Sequence, residues 1–79
     1  MIAKVLGIGK ETAGEYQGHA YRNRTVYVSY EDPARVSAGV VTERFKVPAS
    51  VSDLAGVAIG SDVDFVFNRF GKIVDVKEV

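Results

Sequence analysis

Apolar and polar residues alternate along most of this chain, and valine dominates the apolar positions. Valine and other β-branched residues favour strands, because branched side chains pack well on a pleated surface. No window of about a dozen residues repeats its apolar positions with the 3.6-residue period of a helix. The pattern therefore predicts five strands, at residues 2–8, 20–30, 40–47, 62–67 and 72–77.

The segments between these strands carry residues typical of turns. Residues 9–18 are polar and hold three glycines, so we expect a loop or the flexible end of a β-ribbon. Pro33 presets the backbone for a turn after the second strand. Gly71 supplies the positive φ that a tight hairpin between the last two strands requires.

Residues 48–58 predict the one helical element. Pro48 ends the third strand, and Ser50 followed by Asp53 has the form of a helix N-cap with an acid three residues on. Three strands, one short helical turn and a hairpin follow the order of an OB-type barrel. The predicted fold is all-β, a small five-stranded antiparallel OB-like barrel, with an SH3-like barrel as the alternative. At 79 residues the chain is expected to form a single domain, residues 1–79.

Strand alternation sorts the side chains of each predicted strand onto two faces. The residues expected to face the core are Val26, Val28, Tyr30, Val41, Phe45, Val47, Val63, Phe65 and Phe67. This assignment leaves Tyr21 and Tyr27 on the outer face of the second strand. Thr42, Arg44 and Lys46 then point outward together from the third.

The charge balance excludes a protein that works by bulk positive charge. Lys and Arg total ten, and so do Asp and Glu. A local basic strip remains compatible with this balance, because a groove concentrates field by local arrangement. The chain has no cysteine, so we expect no disulfide and no thiolate metal site. The glycines of Gly7-Ile8-Gly9 precede no predicted helix, so no dinucleotide fingerprint is supported and no cofactor is expected. Lys4 interrupts the apolar start, which is too short for a signal peptide or membrane span, so a cytoplasmic protein is expected.

The sequence lacks the residue combinations of an active site. His19 is the only histidine and lies between polar residues and glycine, so no serine has a partner base. We interpret Asp62 and Asp64 as solvated charges of an edge strand rather than as metal ligands. We therefore expect a protein that is not an enzyme.

Phe70 is the most unusual residue of the pattern, because it stands near the tip of the last hairpin between Arg69 and Gly71. In one interpretation its ring folds back over the end of the barrel. In the other, the exposed ring stacks on a base. An outward tyrosine, a tip phenylalanine and outward cations together are typical of single-strand binding surfaces, where rings stack on bases and cations follow the phosphates.

Three short stretches add a family resemblance. Gln17-Gly18-His19-Ala20-Tyr21, Phe45-Lys46-Val47 and Arg69-Phe70-Gly71-Lys72 occur in this order, and Ile73-Val74-Asp75 follows the last. They resemble the ribbon tip, a strand segment and the Phe-Gly turn of the helix-destabilising, single-stranded-DNA-binding proteins of filamentous phages. Tyr16 stands where that family has a basic residue, and Ala20 where it has a proline.

The resemblance implies an OB-like homodimer that coats single strands cooperatively, with little sequence preference. It also implies that Tyr21 contacts bases, that Phe70 stacks and that Lys46 contacts a phosphate, while Tyr16 could add a third ring.

The leading hypothesis is therefore a homodimeric protein, of phage or mobile-element origin, that coats single-stranded DNA, while the residues themselves do not distinguish DNA from RNA. The alternative is a structural or protein-interaction module whose aromatic side chains form a protein interface. Only phosphate binding releases counterions, so salt dependence separates the two. The predicted nucleic-acid-binding residues are Tyr16, Tyr21, Arg22, Arg24, Arg44, Lys46, Arg69 and Phe70.

Overall fold

A computed structural model describes all 79 residues and contains five antiparallel strands and no helix. The strands are β1 (Ile2–Tyr16), β2 (His19–Tyr30), β3 (Val41–Pro48), β4 (Asp62–Phe67) and β5 (Ile73–Glu78). The prediction of an all-β fold with five antiparallel strands is confirmed. No helix of the length and apolarity needed to cross a membrane occurs.

The strands form one sheet in the order β3-β2-β1-β4-β5. Every neighbouring pair is antiparallel, and β1 lies in the middle, next to β2 along most of its length and next to β4 at its start. Hydrogen bonds do not close the sheet, so β3 and β5 are left as its two edges. The arrangement is that of a partly open, OB-like barrel.

The core lies on the inner face of this curved sheet and follows the predicted alternation. Its buried members are Ala3, Val5, Val26, Val28, Val47, Leu54, Val63, Phe65 and Ile73. Phe45 packs edge-on against both Phe65 and Phe67, with ring centroids 5.5 and 5.2 Å apart. Edge-to-face packing is favourable for aromatic rings at such distances, and it holds β3 to β4 across the open side of the barrel.

The first strand does not end at Ile8 as predicted but continues to Tyr16. Residues 11–16 pair with residues 19–24 of β2, so the segment expected to be a loop is one side of a two-stranded ribbon. Gln17 and Gly18 close the ribbon with φ angles of 51° and 79°. Two consecutive residues with positive φ make the type of two-residue turn whose twist matches that of the flanking strands. Cross-strand pairing therefore orders a segment that its polar composition alone does not mark as a strand.

The short helical element predicted after Pro48 is limited to one hydrogen-bonded turn, in which the Val51 and Ser52 amides donate to the Pro48 carbonyl at 2.9 and 3.2 Å. The Ser52 hydroxyl accepts a hydrogen bond from the Leu54 amide at 3.0 Å, and the Asp53 carboxylate accepts one from Ala55 at 2.9 Å. Such local bonds offer the backbone an alternative to a helix. They accompany a left-handed φ of 61° at Leu54, which lets its side chain reach the core.

Candidate nucleic-acid interface

The outer face of β2 and β3 carries two of the predicted cations, Arg44 and Lys46. Thr25 lies opposite Lys46, and Tyr27 lies opposite Arg44. Side chains of directly opposed residues point to the same face of an antiparallel pair. Arg44, Lys46 and Tyr27 are all exposed there, as the alternation predicted.

A groove of about 510 Å³ runs between β3 and the turn that joins β4 to β5. We call it the cationic groove, and it is lined by Asn23, Arg44, Phe45, Lys46, Pro48, Phe67, Gly71, Lys72 and Ile73. Phe45, Phe67 and Ile73 give it apolar, largely aromatic walls. Three cations line it and no carboxylate does, so the groove attracts anions that also carry flat apolar groups.

Two smaller depressions extend the cationic groove along the sheet. One shares Asn23 and Pro48 with it and is also lined by Tyr21 and Arg22. The other shares Arg44, Phe45 and Lys46 and is also lined by Tyr27. Neither contains a carboxylate, so the surface from Tyr21 to Tyr27 is continuous in chemistry with the groove.

Phe70 stands in the β4–β5 turn, immediately before two residues that line the cationic groove. Its side chain is 74% exposed, so the interpretation in which the ring closes the end of the barrel is wrong. The Arg69 guanidinium carbon lies 5.0 Å from the centre of the ring, within the range of a cation–π contact. The turn therefore presents a ring and a cation together at one end of the groove.

Tyr21 and Tyr16 lie on the β1–β2 ribbon. Tyr21 is 43% exposed, with its ring lying over Gly14 of β1. Tyr16 is 70% exposed and lies opposite His19 at the ribbon end, beside the Gln17–Gly18 turn. Tyr21 lies beside the cationic groove, whereas Tyr16 lies farther out along the ribbon.

Neither Arg22 nor Arg24 lines the cationic groove itself, and Arg22 lines only the adjoining depression beside Tyr21. They alternate with Tyr21 and Asn23 along β2, which directs them to the opposite face. The Arg22 guanidinium donates to the Glu11 carboxylate, and an Arg24 nitrogen lies 3.9 Å from the same carboxylate. Their charge is therefore partly neutralised within the ribbon.

The groove also contains two hydrogen-bonding side chains, Asn23 and Lys72, that were not among the predicted binding residues. Lys72 was expected only to begin the last strand. Each lines the groove because β2, β3 and the β4–β5 turn meet there. The lysine at the end of the Arg69-Phe70-Gly71-Lys72 stretch was the one available signal.

The total charge is zero, but the unpaired cations are unevenly distributed over the surface. Of the ten Lys and Arg side chains, Arg22, Arg24, Arg35 and Lys77 form ion pairs with carboxylates. Six are left without one, and four of these lie in or next to the cationic groove, namely Arg44, Lys46, Arg69 and Lys72. Local potential at the groove is therefore positive although the chain as a whole is balanced.

A cluster around Tyr30 lies away from this groove. The Tyr30 hydroxyl donates to the Glu43 carboxylate and accepts from Arg35 at 2.6 Å. The hydrogen bond to Glu43 raises the pKa of Tyr30 above its ordinary value of 10.0, and desolvation adds to the rise while the Arg35 charge opposes it. The cluster ties the segment after β2 to β3 and adds no charge to the groove.

Comparison of the chain with protein-family models, with curated proteins and with solved structures finds no match. No three His, Cys, Asp or Glu side chains converge in an arrangement that could hold a metal ion. The site is therefore interpreted from its own residues.

Proposed function

We propose that this protein is a binding protein, without catalytic activity, for single-stranded nucleic acid. The observation that carries the proposal is the cationic groove, in which three cations and aromatic walls occur with no carboxylate. In OB-type barrels the face of strands 2 and 3 and the turn between strands 4 and 5 bind oligonucleotides. The groove occupies both of these places.

The proposed mode of binding separates two tasks. Arg44, Lys46 and Lys72 follow the phosphates, which supplies affinity without reading sequence. Phe70 and Tyr21 stack on bases, and each stacked ring is worth about 1–3 kcal/mol for any base. Binding of this kind has little sequence preference. The short motifs that resemble phage single-stranded-DNA-binding proteins favour DNA over RNA.

The proposal includes a homodimer that coats the strand, in a cytoplasmic setting. A chain of this size buries only about 60% of the surface that its unfolded state exposes. Association of two chains would bury further apolar surface and so stabilise the fold. Met1, Ile2 and Val40 are exposed and line a second groove of about 580 Å³ that shares no residue with the cationic groove. A second copy bound there leaves the cationic groove free for nucleic acid.

Titration of isotope-labelled protein with oligo-dT, followed by amide NMR signals, tests the proposal. We expect shifts at Tyr21, Lys46 and residues 68–72, because these line or adjoin the groove. Tyr30 and Ile59 lie outside it and serve as reference positions whose signals should stay in place.

Salt dependence of the same interaction completes the test. Three phosphate contacts predict that log affinity falls against log salt with a slope of about −2, from about −0.7 per contact on a single strand. Absence of binding to oligo-dT, or binding that ignores salt, would favour the protein-interaction module instead.

A further inference from the structure

Asn68 begins the β4–β5 turn and makes four hydrogen bonds within it. Its side-chain Oδ1 accepts from the Phe70 amide at 2.9 Å and from the Lys72 amide at 3.0 Å. Its main-chain amide donates to the Lys72 carbonyl at 2.8 Å, and its carbonyl accepts from the Gly71 amide at 3.0 Å. One residue thus holds the backbone on both sides of the exposed ring.

Apart from the Arg69 contact and the main-chain hydrogen bonds of the hairpin, only the Asn68 side chain holds the two functional groups of this turn. The Phe70 ring is mostly exposed, and the Arg69 guanidinium is the one charged group that lies over it. Lys72 forms no ion pair. No other side chain makes a hydrogen bond to the backbone of residues 69–72. The direction of the ring and of the ammonium group therefore depends on the backbone that Asn68 holds.

We propose that Asn68 is a positioning residue for nucleic-acid binding, which holds the Phe70 ring and Lys72 in their bound orientation before the strand arrives. The inference rests on the proposed function of the cationic groove. A group that is already ordered loses less freedom on binding. Ordering the backbone of one residue corresponds to roughly a 5- to 30-fold change in an equilibrium, and Asn68→Ala should weaken oligo-dT binding by about this factor.

Asn68→Asp is the matched conservative variant. A carboxylate oxygen accepts the same two amide hydrogen bonds, so the turn should stay ordered. Its negative charge offsets the positive charge of Lys72, so oligo-dT affinity should fall at low salt. The slope of log affinity against log salt should become less steep by about 0.7, the share of one phosphate contact. The alanine variant keeps the wild-type charge, so its loss of affinity should persist at all salt concentrations.

A double-mutant cycle with Phe70→Ala measures the coupling between Asn68 and the ring in oligo-dT affinity. A general loss of stability would not change this coupling. In wild type and in Asn68→Asp, removal of the ring should cost about 10- to 100-fold in oligo-dT affinity. In Asn68→Ala the ring is no longer positioned, so removal of the ring should lower oligo-dT affinity by only about threefold or less. Amide hydrogen exchange of free protein should be faster at Phe70 and Lys72 in Asn68→Ala alone, with unchanged exchange at Val26.

Additive effects of the Asn68→Ala and Phe70→Ala variants would overturn the role of Asn68, and so would unchanged exchange at both amides. In either case, wild-type binding that still requires Phe70 leaves the proposed function standing. Wild-type protein that fails to bind oligo-dT would overturn both proposals at once.

Discussion

The Tyr21 ring lies across Gly14 of the neighbouring strand, at directly opposed positions of the β1–β2 ribbon. A Cβ placed at position 14 would lie 2.4 Å from the Tyr21 hydroxyl oxygen and 2.6 Å from the ring carbon that bears it. Only glycine leaves room for the ring in this position. Gly14 therefore sets the orientation of an aromatic side chain beside the cationic groove.

Gly14→Ala should displace the Tyr21 ring with little change in stability. The clashing atoms are the far end of a side chain that can rotate outward. The free energy of unfolding should change by no more than about 1 kcal/mol, because alanine in a strand also removes the entropic cost of glycine. Oligo-dT affinity should fall towards that of Tyr21→Ala. Equal affinity of Gly14→Ala and wild type, measured by fluorescence titration, would contradict a role for this orientation.

Phe70→Ala should lower oligo-dT affinity by about 1–3 kcal/mol if the ring stacks on a base. Its stability should be nearly unchanged, because truncation of an exposed side chain leaves no cavity. Ile59→Ala is the control, since Ile59 is also exposed and apolar but does not line the groove. Calorimetric titration and thermal unfolding of both variants check the prediction. Identical losses of affinity in the two variants would count against stacking by Phe70.

Lys72→Gln and Lys46→Gln should each reduce the salt slope of binding by about 0.7, the share of one phosphate contact on a single strand. Arg24→Gln is the charge-matched control. Its guanidinium nitrogen lies 3.9 Å from the Glu11 carboxylate and Arg24 lines neither the groove nor its two extensions, so the slope should stay at the wild-type value. Affinities measured across a salt series test all three. A larger change in slope for Arg24→Gln than for Lys72→Gln would show that the strand follows the ribbon instead of the groove.

The Tyr30 cluster predicts a pH dependence of stability in the alkaline range. The hydrogen bond to Glu43 raises the pKa of Tyr30 above 10.0, so folded protein holds this proton more tightly than unfolded protein. The contribution is complete below the unfolded pKa, and it is lost as pH rises through the higher folded pKa. Glu43→Gln should bring the pKa of Tyr30 towards its ordinary value.

Absorbance titration of tyrosinate measures this change, and Tyr30→Phe identifies which step of the curve belongs to Tyr30. A curve that Glu43→Gln leaves unmoved would contradict the assignment.

Sedimentation velocity at micromolar concentration should show two chains per particle. Val40→Asp should favour the single chain, because a charge would be buried in the groove lined by Met1, Ile2 and Val40. Ile59→Asp serves as the control, since Ile59 is exposed outside that groove and should leave the dimer intact. Wild-type protein that sediments as one chain at high concentration would contradict the homodimer.

Several features of the fold and site could be read from short stretches of sequence. Val26 and Val28 are buried and Tyr21 and Tyr27 are exposed, as alternation predicted. Alternation depends only on neighbouring residues in an extended chain, so it can be predicted without knowing which strands pair with each other. The exposure of Phe70 was one of two possibilities, because the tip of a hairpin can point outward or fold back.

Arrangements that depend on strand pairing could not be predicted from the sequence pattern. The length of β1 depends on pairing across the ribbon, since Glu11 and the residues after it have too little apolar periodicity to indicate a strand. The same pairing brings Glu11 to Arg22 and Arg24, which pairs two expected cations with a carboxylate. The turn after Pro48 does not extend into a helix for a local reason, the competing bonds of Ser52 and Asp53.

The amino-acid order alone determined that this chain forms strands, which of their faces are apolar, and that a tight turn at Gly71 joins the last two strands. These properties arise from backbone preferences and from the two-residue period of a strand. Only the tertiary structure decided which cations share a surface. Lys72 joins Arg44 and Lys46 because the β4–β5 turn meets β3 across the open side of the barrel, between residues far apart in the chain. The register and curvature of the whole sheet set that meeting, and no short stretch of sequence encodes them.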